Sequence, residues 1–191
     1  MDCSKLTAGL VAAICGKTAT AGAEDDVILI NFDDIDRTLS EVTDNVITKL
    51  VLKEGAKAYL FTTFGKSLDD AGATFTKGTY RNTWVHNVPN RIFTKNELSK
   101  KFVNQIADGA RVVEIVKNKE IGTAGDVKYE AYGWDNGLEL NEATSTIAMT
   151  DGVVYDLNMG SSDTAQEGSL PKSVFDTDLT TTEAMINGLI A

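Results

Sequence analysis

The stretch that most constrains the fold runs from Asn82 to Asn118, and it predicts a strand, a helix and a second strand. Residues 83–93 are rich in β-branched and aromatic side chains, which favour a strand, and Pro89 is tolerated there at an edge or a bulge. Residues 111–117 (RVVEIVK) give a second strong strand pattern. We therefore expect the helix between them to pack against a sheet made by the rest of the chain.

The helix is predicted over about residues 95–108. Thr94 and Glu97 fit a capping box, in which each side chain satisfies a free backbone N–H group of the other. An apolar stripe follows at helical spacing and contains Leu98, Phe102, Ile106 and the neighbouring Val103. Gly109 suits the position after the last turn, because glycine adopts a positive φ without a Cβ clash.

Most of the remaining chain is predicted to be strand. Apolar or β-rich runs occupy 27–32, 46–52, 58–64, 127–132, 138–147, 153–159 and 170–175. Lys53–Ala56 is interpreted as a hairpin connection, and Asn136-Gly137 as a tight hairpin turn. Gly65–Gly78 has no periodicity and is predicted to be a long loop or a floppy hairpin. Thr180 and Glu183 form a second capping box, which predicts a short C-terminal helix.

These elements predict a fold class, which is mainly β or α+β. We expect an antiparallel β-sandwich or split barrel of eight or nine strands, with one main flanking helix and the short C-terminal helix. A chain of 191 residues is long enough for one sizeable core. The predicted organisation is an N-terminal arm, 1–25, followed by a single β-rich domain, 26–191.

The charge balance argues against two classes of partner. The chain has 28 acidic and 18 basic residues, for a net charge of −10. Nucleic acids and anionic membranes are both bound through Lys and Arg, so neither is an expected tight ligand. Solubility alone also explains this acidity. No apolar run approaches the ~20 residues of a membrane span, and the short run 10–14 lacks the preceding basic region of a signal peptide.

Two cysteines, Cys3 and Cys15, lie near the start of the chain. They either form a small disulfide staple or remain free thiols, as cysteines of proteins made in the cytosol usually do. The sequence leaves both alternatives open.

Two glycine-lysine stretches resemble the end of a phosphate-binding loop, but neither completes it. In Gly16-Lys17-Thr18 and Gly65-Lys66-Ser67, the required earlier glycine is replaced by Val11 and Leu60 respectively. No nucleotide is therefore expected.

No catalytic or metal motif is complete either. Asp33, Asp34, Asp36 and Glu41 lack the spacing and the glycine of an EF-hand, which leaves a solvated loop face or a weak cation site. The only histidine, His86, cannot form a zinc site alone, and we predict a packed or interface histidine. The sequence predicts no metal, no cofactor and no enzymatic activity.

Three stretches and the order of the elements resemble the tail-tube proteins of long-tailed bacteriophages. The stretches are Val27–Asn31 (VILIN), Tyr132–Leu138 (YGWDNGL) and Leu170–Phe175 (LPKSVF). The shared order is an acidic chain of strands, a long N-terminal arm, and a Gly-rich loop ahead of one packed helix and a strand. The resemblance covers most of the chain.

That resemblance implies a virion structural protein, made in the host cytoplasm, with a β-sandwich or split barrel and a flanking helix. It implies hexameric rings whose sheets join into an inner β-barrel, and rings that stack through a long loop and a terminal arm. The implied partners are further copies of the chain and other virion proteins. DNA would pass through an acidic lumen without tight binding. The loop at 65–78 is shorter and less hairpin-like than the family's stacking loop often is.

The candidate assembly contacts are Leu6 in the arm and Leu68 and Phe75 in the loop, because a partner surface could cover these apolar anchors. Three other interpretations remain. The first is a capsid decoration or head–tail joining protein. The second is a carbohydrate-binding β-sandwich module that uses Trp84, Trp134 and tyrosines, and the third is a hydrolase with unrecognised carboxylates.

Overall fold

A computed structural model describes residues 22–64, 67–122, 124–147 and 152–190. The strands are β1 (Ala23–Asn31), β2 (Glu41–Thr43), β3 (Val46–Lys49), β4 (Tyr59–Thr62), β5 (Gly72–Thr76), β6 (Thr83–Ile92), β7 (Val112–Asn118), β8 (Tyr129–Tyr132), β9 (Leu138–Ser145), β10 (Tyr155–Ser161) and β11 (Lys172–Val174). The helices are α1 (Glu97–Ala107) and α2 (Leu179–Asn187), and Phe32–Asp34 forms a 3-10 turn.

The eleven strands form one sheet that folds into two layers. The first layer has the order β4-β1-β7-β8-β11-β3-β2, and the second layer has the order β9-β10-β6-β5. The layers join where Val112 of β7 pairs with Leu138 of β9. Strand pairs are antiparallel except for β3 with β11, which is parallel. The predicted β-rich, sandwich-like α+β fold is confirmed, with more strands than the eight or nine expected.

Both faces of the first layer are buried, because α2 covers one and the second layer covers the other. The cluster beneath α2 includes Ile28, Ile30, Val113, Ile115 and Ile186. The cluster between the layers includes Val27, Leu29, Val112, Val116, Val88 and Met159. Strands buried on both faces appear in the sequence as continuous apolar runs, which is why β1 and β7 were predicted correctly.

The second layer crosses the strands of the first. Three residues of β6 contact three successive parts of the first layer. His86 contacts Gly133 just after β8, Asn90 contacts Glu114 in β7, and Arg91 contacts Thr63 just after β4. The described residues cover only one face of this layer, and its strands alternate between inward apolar and outward polar side chains. Pro89 lies beyond the part of β6 that pairs with β5, as its predicted edge position requires.

Helix α1 begins later than Thr94, so the predicted capping box was wrong. The N-cap is Asn96, whose side chain accepts from Ser99 N–H at 2.8 Å, while Ser99 Oγ accepts from Asn96 N–H at 3.0 Å. Asn is as good an N-cap as Thr, and Ser99 completes the reciprocal bond from a buried position. Gly109 follows the helix at φ +100°, as predicted.

The apolar stripe of α1 is only partly buried. Ile106 is 3% exposed and Phe102 stacks on Phe61 of β4 at 5.7 Å, whereas Leu98 is 76% exposed. Leu98 lies in the first turn, beyond the gap between the layers that the rest of the helix covers. The prediction that Leu98 packs on the sheet was therefore wrong.

The C-terminal helix, in contrast to α1, starts earlier than predicted. Its N-cap is Asp178, which accepts from Thr181 N–H at 2.8 Å, so Thr180 and Glu183 already lie inside α2. The prediction of a Thr180–Glu183 capping box was wrong, because Asp178 is extended and Leu179 already has helical geometry.

Neither predicted tight hairpin pairs its flanking strands. Strands β3 and β4 bind different neighbours, since β3 pairs with β2 and β11 whereas β4 pairs with β1. Strands β8 and β9 also do not pair, because the turn Gly133–Gly137 moves the chain from the first layer to the second. A Cβ atom at Gly137 would lie 2.4 Å from Arg111 Cγ, so this turn needs glycine for space as well as for its φ of +84°.

The predicted loop 65–78 contains a strand, β5, which pairs with β6 from Gly72–Asn87 to Thr76–Thr83. At the other end of the predicted arm, β1 begins at Ala23, so residues 23–25 belong to a strand. The two cysteines and most of the arm lie outside the described residues.

Candidate assembly surface

One face of the second layer is polar, and none of the residues that the structure describes packs over it. Side chains on this face alternate with the buried His86, Val88, Asn90 and Ile92 of β6 and with Leu157 and Met159 of β10. They include Thr74, Asn87, Arg91, Glu142, Thr144, Asp156 and Asn158. A strand with one buried and one solvated face follows this pattern.

The uncovered face carries a net negative charge. A shallow depression of about 260 Å³ is lined by Asp70, Glu142, Asp156 and Arg91, together with uncharged residues. Arg91 lies 3.2 Å from Asp70 and 3.5 Å from Asp156, so its charge is already matched by two carboxylates. The lining therefore has three carboxylates and one cation.

Strand β9 forms one edge of the second layer. Its pairing with β7 is limited to Leu138, and within the described part of the chain Asn141–Ser145 has no partner on that side. All five of these residues are exposed. A bulge at Asn141 interrupts the pairing with β10, because Asn158 pairs with Glu142 and Met159 pairs with Leu140.

Strand β5 forms the opposite edge. It pairs with β6 alone among the described strands, and Thr74 and Phe75 are exposed. Phe75 is 50% exposed and packs edge-to-face on Trp84 at 5.4 Å. Both edges thus present five-residue rows of unpaired backbone groups, which are templates for pairing with another chain.

The directions of the strands make these two edges complementary. The four strands β9, β10, β6 and β5 alternate in direction, so β5 runs opposite to β9. Rotation about an axis along the strands preserves direction. If β5 of one copy were placed beside β9 of the next, the new pair would be antiparallel, like every other pair in the layer.

A buried carboxyl group links the two layers. Glu114 of β7 is fully buried and accepts from Asn90 Nδ2 of β6 at 2.8 and 3.1 Å. Burial raises the pKa of Glu114 to about 8, against a smaller lowering by the Asn90 hydrogen bond. At neutral pH the group is therefore mostly protonated, so the core contains no buried charge there.

His86 fixes the junction between the layers. Its Nδ1 accepts from Gly133 N–H at 3.1 Å, so Nε2 carries the proton and donates to Ser169 O at 3.0 Å. Burial lowers the pKa of His86 to about 4. The prediction of a packed histidine is confirmed, since His86 is 1% exposed.

Glu167 holds the turn that follows β8. It is 1% exposed and accepts from the N–H groups of Asp135 and Asn136 at 2.7 and 3.0 Å. Burial raises its pKa, while these two backbone hydrogen bonds lower it. Together with His86, this places several of the buried polar groups at the joint between the layers, where they serve packing.

The three candidate assembly contacts do not lie together. Leu6 lies outside the described residues. Leu68 is 3% exposed and belongs to the core cluster between the layers, so it offers little surface to a partner. Phe75 lies on the free β5 edge with half of its surface exposed.

Three of the residues considered for metal or sugar binding, Asp33, Asp36 and Trp134, have other contacts within the chain. Asp33 pairs with Arg111 at 3.1 Å, and Asp36 accepts from Thr38 N–H in its own turn. Among the described residues, no cluster of three or more His, Cys, Asp or Glu side chains could hold a metal ion. Trp134 is 6% exposed beneath the guanidinium of Arg37, at 4.1 Å, so it presents no open aromatic platform.

Sequence reasoning missed β5 and Glu114. The run Ala73–Thr76 (ATFT) is rich in β-branched and aromatic residues, a strand signal that the surrounding glycines obscured. Glu114 is a single charge inside an apolar run, and its two apolar neighbours Val113 and Ile115 belong to the opposite face of the same strand. That break in an apolar run was a signal of a buried ionisable group.

Comparison with known proteins identifies no relative: no family model, no curated protein and no solved structure matches the chain. Within the described part of the chain, neither helix is long and apolar enough to cross a membrane.

Proposed function

We propose that this chain is a structural protein of a phage virion that assembles into stacked rings and forms the tail tube. The observation that carries the proposal is the pair of free, antiparallel-compatible edges of the second layer, β5 and β9. Unpaired edges of this length are liabilities in a monomer, and edge-to-edge pairing in a closed ring removes them.

Closure of such a ring gives a wide inner barrel. Each copy contributes four strands, so about six copies, the number that the family resemblance implies, give about 24 strands. With strands ~4.8 Å apart and tilted by about 40°, the barrel is roughly 45–50 Å across at the backbone. Barrels of 16–18 strands already enclose an aqueous channel, so this ring would be open.

The charge of the uncovered face fits a conduit for DNA. That face would line the channel, and its net acidity is repeated in every copy. Like charge keeps the phosphates of DNA away from the wall, although the repulsion is screened within about 8–10 Å at physiological salt. An acidic lumen therefore favours passage over binding.

Electron microscopy of the purified protein tests this proposal. We expect rings or tubes with a central channel. Ala73→Pro and Thr74→Pro form a matched pair, because the N–H groups of adjacent residues point to opposite sides of a strand. We expect the variant that removes the N–H at the free edge to fold but to assemble poorly. If the unaltered protein is a monodisperse monomer at high concentration, in microscopy and in sedimentation, the proposal fails.

The same images separate the tail tube from other virion roles. Stacked rings of uniform width support the tube, whereas a single ring that does not stack would favour a head–tail joining protein. Isolated monomers or trimers would favour a capsid decoration protein.

A further inference from the structure

We propose that adjacent copies are joined in one specific register, in which Phe75 of β5 lies beside Ala143 of β9 in the next copy. This inference rests on the proposed ring and goes further, because it names the residue pairs and charges that select a second copy of this chain as the occupant of the edge.

The face of the sheet to which each side chain points limits the possible registers. On β5, Ala73 and Phe75 face inward, like their partners His86 and Trp84 on β6. On β9, Ala143 and Ser145 face inward, like their partners Leu157 and Tyr155 on β10. A shift by one residue would place inward side chains beside outward ones, so only registers two residues apart are allowed.

The bulge at Asn141 selects among the allowed registers. Pairing Phe75 with Ala143 aligns the five residues of β5 with Glu142–Thr146, which lie entirely beyond the bulge. A register two residues lower would run β5 across the bulge and interrupt its ladder. In the proposed register, successive copies are shifted along the strand direction by about six residues for every four strands. This shift corresponds to a strand tilt of about 45°, at the upper end of the usual range.

Opposite charges then meet at both ends of the joint. Just after β5, the exposed Lys77 would lie beside Asn141 and close to Glu142 of the next copy. Just before β5, the exposed Asp69 and Asp70 would approach α1 of the next copy. This contact lies near the end of the second layer where Ile92, Tyr155 and Ser145 are paired across β6, β10 and β9.

The start of α1 is basic in an otherwise acidic chain. Its exposed charges are Lys95, Lys100, Lys101 and Glu97. In the direction from Gly72 to Thr76, the β5 edge is acidic before the strand and basic after it. In the same direction, the β9 edge of the next copy is basic near Ser145 and acidic near Glu142. This arrangement attracts an antiparallel second copy and repels a copy that approaches in the opposite sense.

The side chains at the centre of the joint also fit. Phe75 is large and half exposed, whereas Ala143 is small and exposed. A large side chain beside a small one fills the joint without a clash, and Phe75 would become a buried aromatic anchor in the assembled ring.

Cysteine crosslinking tests the register directly. In a background with Cys3→Ser and Cys15→Ser, the pair Thr74→Cys and Thr144→Cys places two thiols on the outward face, opposite each other across the joint. Directly opposed residues have Cα atoms about 4.5–5.5 Å apart, within disulfide range. We expect oxidation of assembled protein to give a ladder of covalent multimers that disappears on reduction.

The matched control is Thr74→Cys with Glu142→Cys, which reports the register that crosses the bulge. We expect it to remain mainly monomeric on denaturing gels, and preferential crosslinking of this control would overturn the proposed register. If oxidised Thr74/Thr144 assemblies give monomers only, the register is likewise wrong. If neither the unaltered protein nor the variants assemble in microscopy, the failure lies with the ring itself.

Charge reversal provides an independent check. We expect Lys77→Glu and Glu142→Lys to weaken assembly separately, most strongly at low salt, and to restore it when combined in one chain. Lys57→Glu, an exposed reversal in the connection between β3 and β4, serves as the control and should leave assembly unchanged. A double variant no better than either single change would contradict the charge pairing.

Discussion

The two layers of this sheet show what full and partial burial do to a strand. In the first layer, β1 and β7 are buried on both faces, and neither tolerates an exposed polar side chain at its centre. In the second layer, the same alternation leaves one face polar and two edges unpaired among the described strands. We therefore expect the first layer to contribute most of the stability, and we propose that the second layer provides the surfaces that contact other copies.

The largest expected effect is on the first layer. Ile115→Ala removes a fully buried side chain from the cluster beneath α2 and should lower the free energy of unfolding by about 2–5 kcal/mol. Val85→Ala, on the uncovered face of the second layer, should cost less than about 1 kcal/mol. Denaturant titration of both variants measures the difference. Equal losses would contradict the assignment of stability to the first layer.

The next effect concerns Glu114, which joins the layers. Its folded pKa of about 8 lies above the ordinary value of 4.5. At pH values between these two, the native state therefore binds more protons than the unfolded state. The contribution of Glu114 to stability is therefore full below pH 4.5 and falls as pH rises toward 8, by about 3–5 kcal/mol in total. Glu114→Gln keeps a neutral partner for Asn90 and removes this titration.

We expect the stability of the unaltered protein, relative to Glu114→Gln, to decline steadily between pH 5 and pH 8. Comparison with this variant is needed because Glu167, whose pKa is also raised, titrates in both proteins. Denaturation curves at four or five pH values measure the difference. A difference that does not change with pH would show that Glu114 is ionised throughout.

A smaller effect separates two residues of one helical stripe. Phe102 is partly buried against Phe61, so Phe102→Ala should cost about 2–3 kcal/mol, whereas Leu98→Ala should change stability by no more than about 0.5 kcal/mol. Thermal melts of the two variants test this directly. A large loss for Leu98→Ala in the monomer would mean that the first turn of α1 packs on the sheet after all.

The smallest expected signal is DNA binding, which should be absent. A net acidic face gives no counterion release, so we expect no gel shift of double-stranded DNA near 0.15 M salt and none on lowering the salt. The variant Asp156→Lys with Asn158→Lys, which leaves the proposed joint unchanged, makes that face net basic and serves as the positive control. A shift by the unaltered protein that strengthens at low salt would contradict the conduit.

Local signals in the sequence were enough to locate the buried strands and the main helix. The runs VILIN and RVVEIVK are apolar on both faces, so their burial did not depend on knowing their partners. The start of α1 could not be fixed in the same way, because Thr94 and Asn96 are both good N-caps. The choice between them depends on Ser99, whose burial is a tertiary property.

Strand pairing was predicted less well than strand location. The β3 and β4 runs looked like a hairpin, but β3 pairs in parallel with β11, more than 120 residues away. The free edge at β5 was missed for a different reason: its strand signal, Ala73–Thr76, is short and lies among glycines. The distant pairing of β3 with β11, in contrast, leaves no local signature.

Hydrogen exchange tests the central claim, that the second layer joins one copy to the next. Amide exchange is measured by mass spectrometry on dilute monomer and on concentrated assemblies of the same protein. We predict that protection increases in peptides covering β5 and Asn141–Ser145, while β1 and β7 are protected in both states. Protection that appears instead along the exposed outer strands β2 or β4, with β5 and β9 unchanged, would contradict the account.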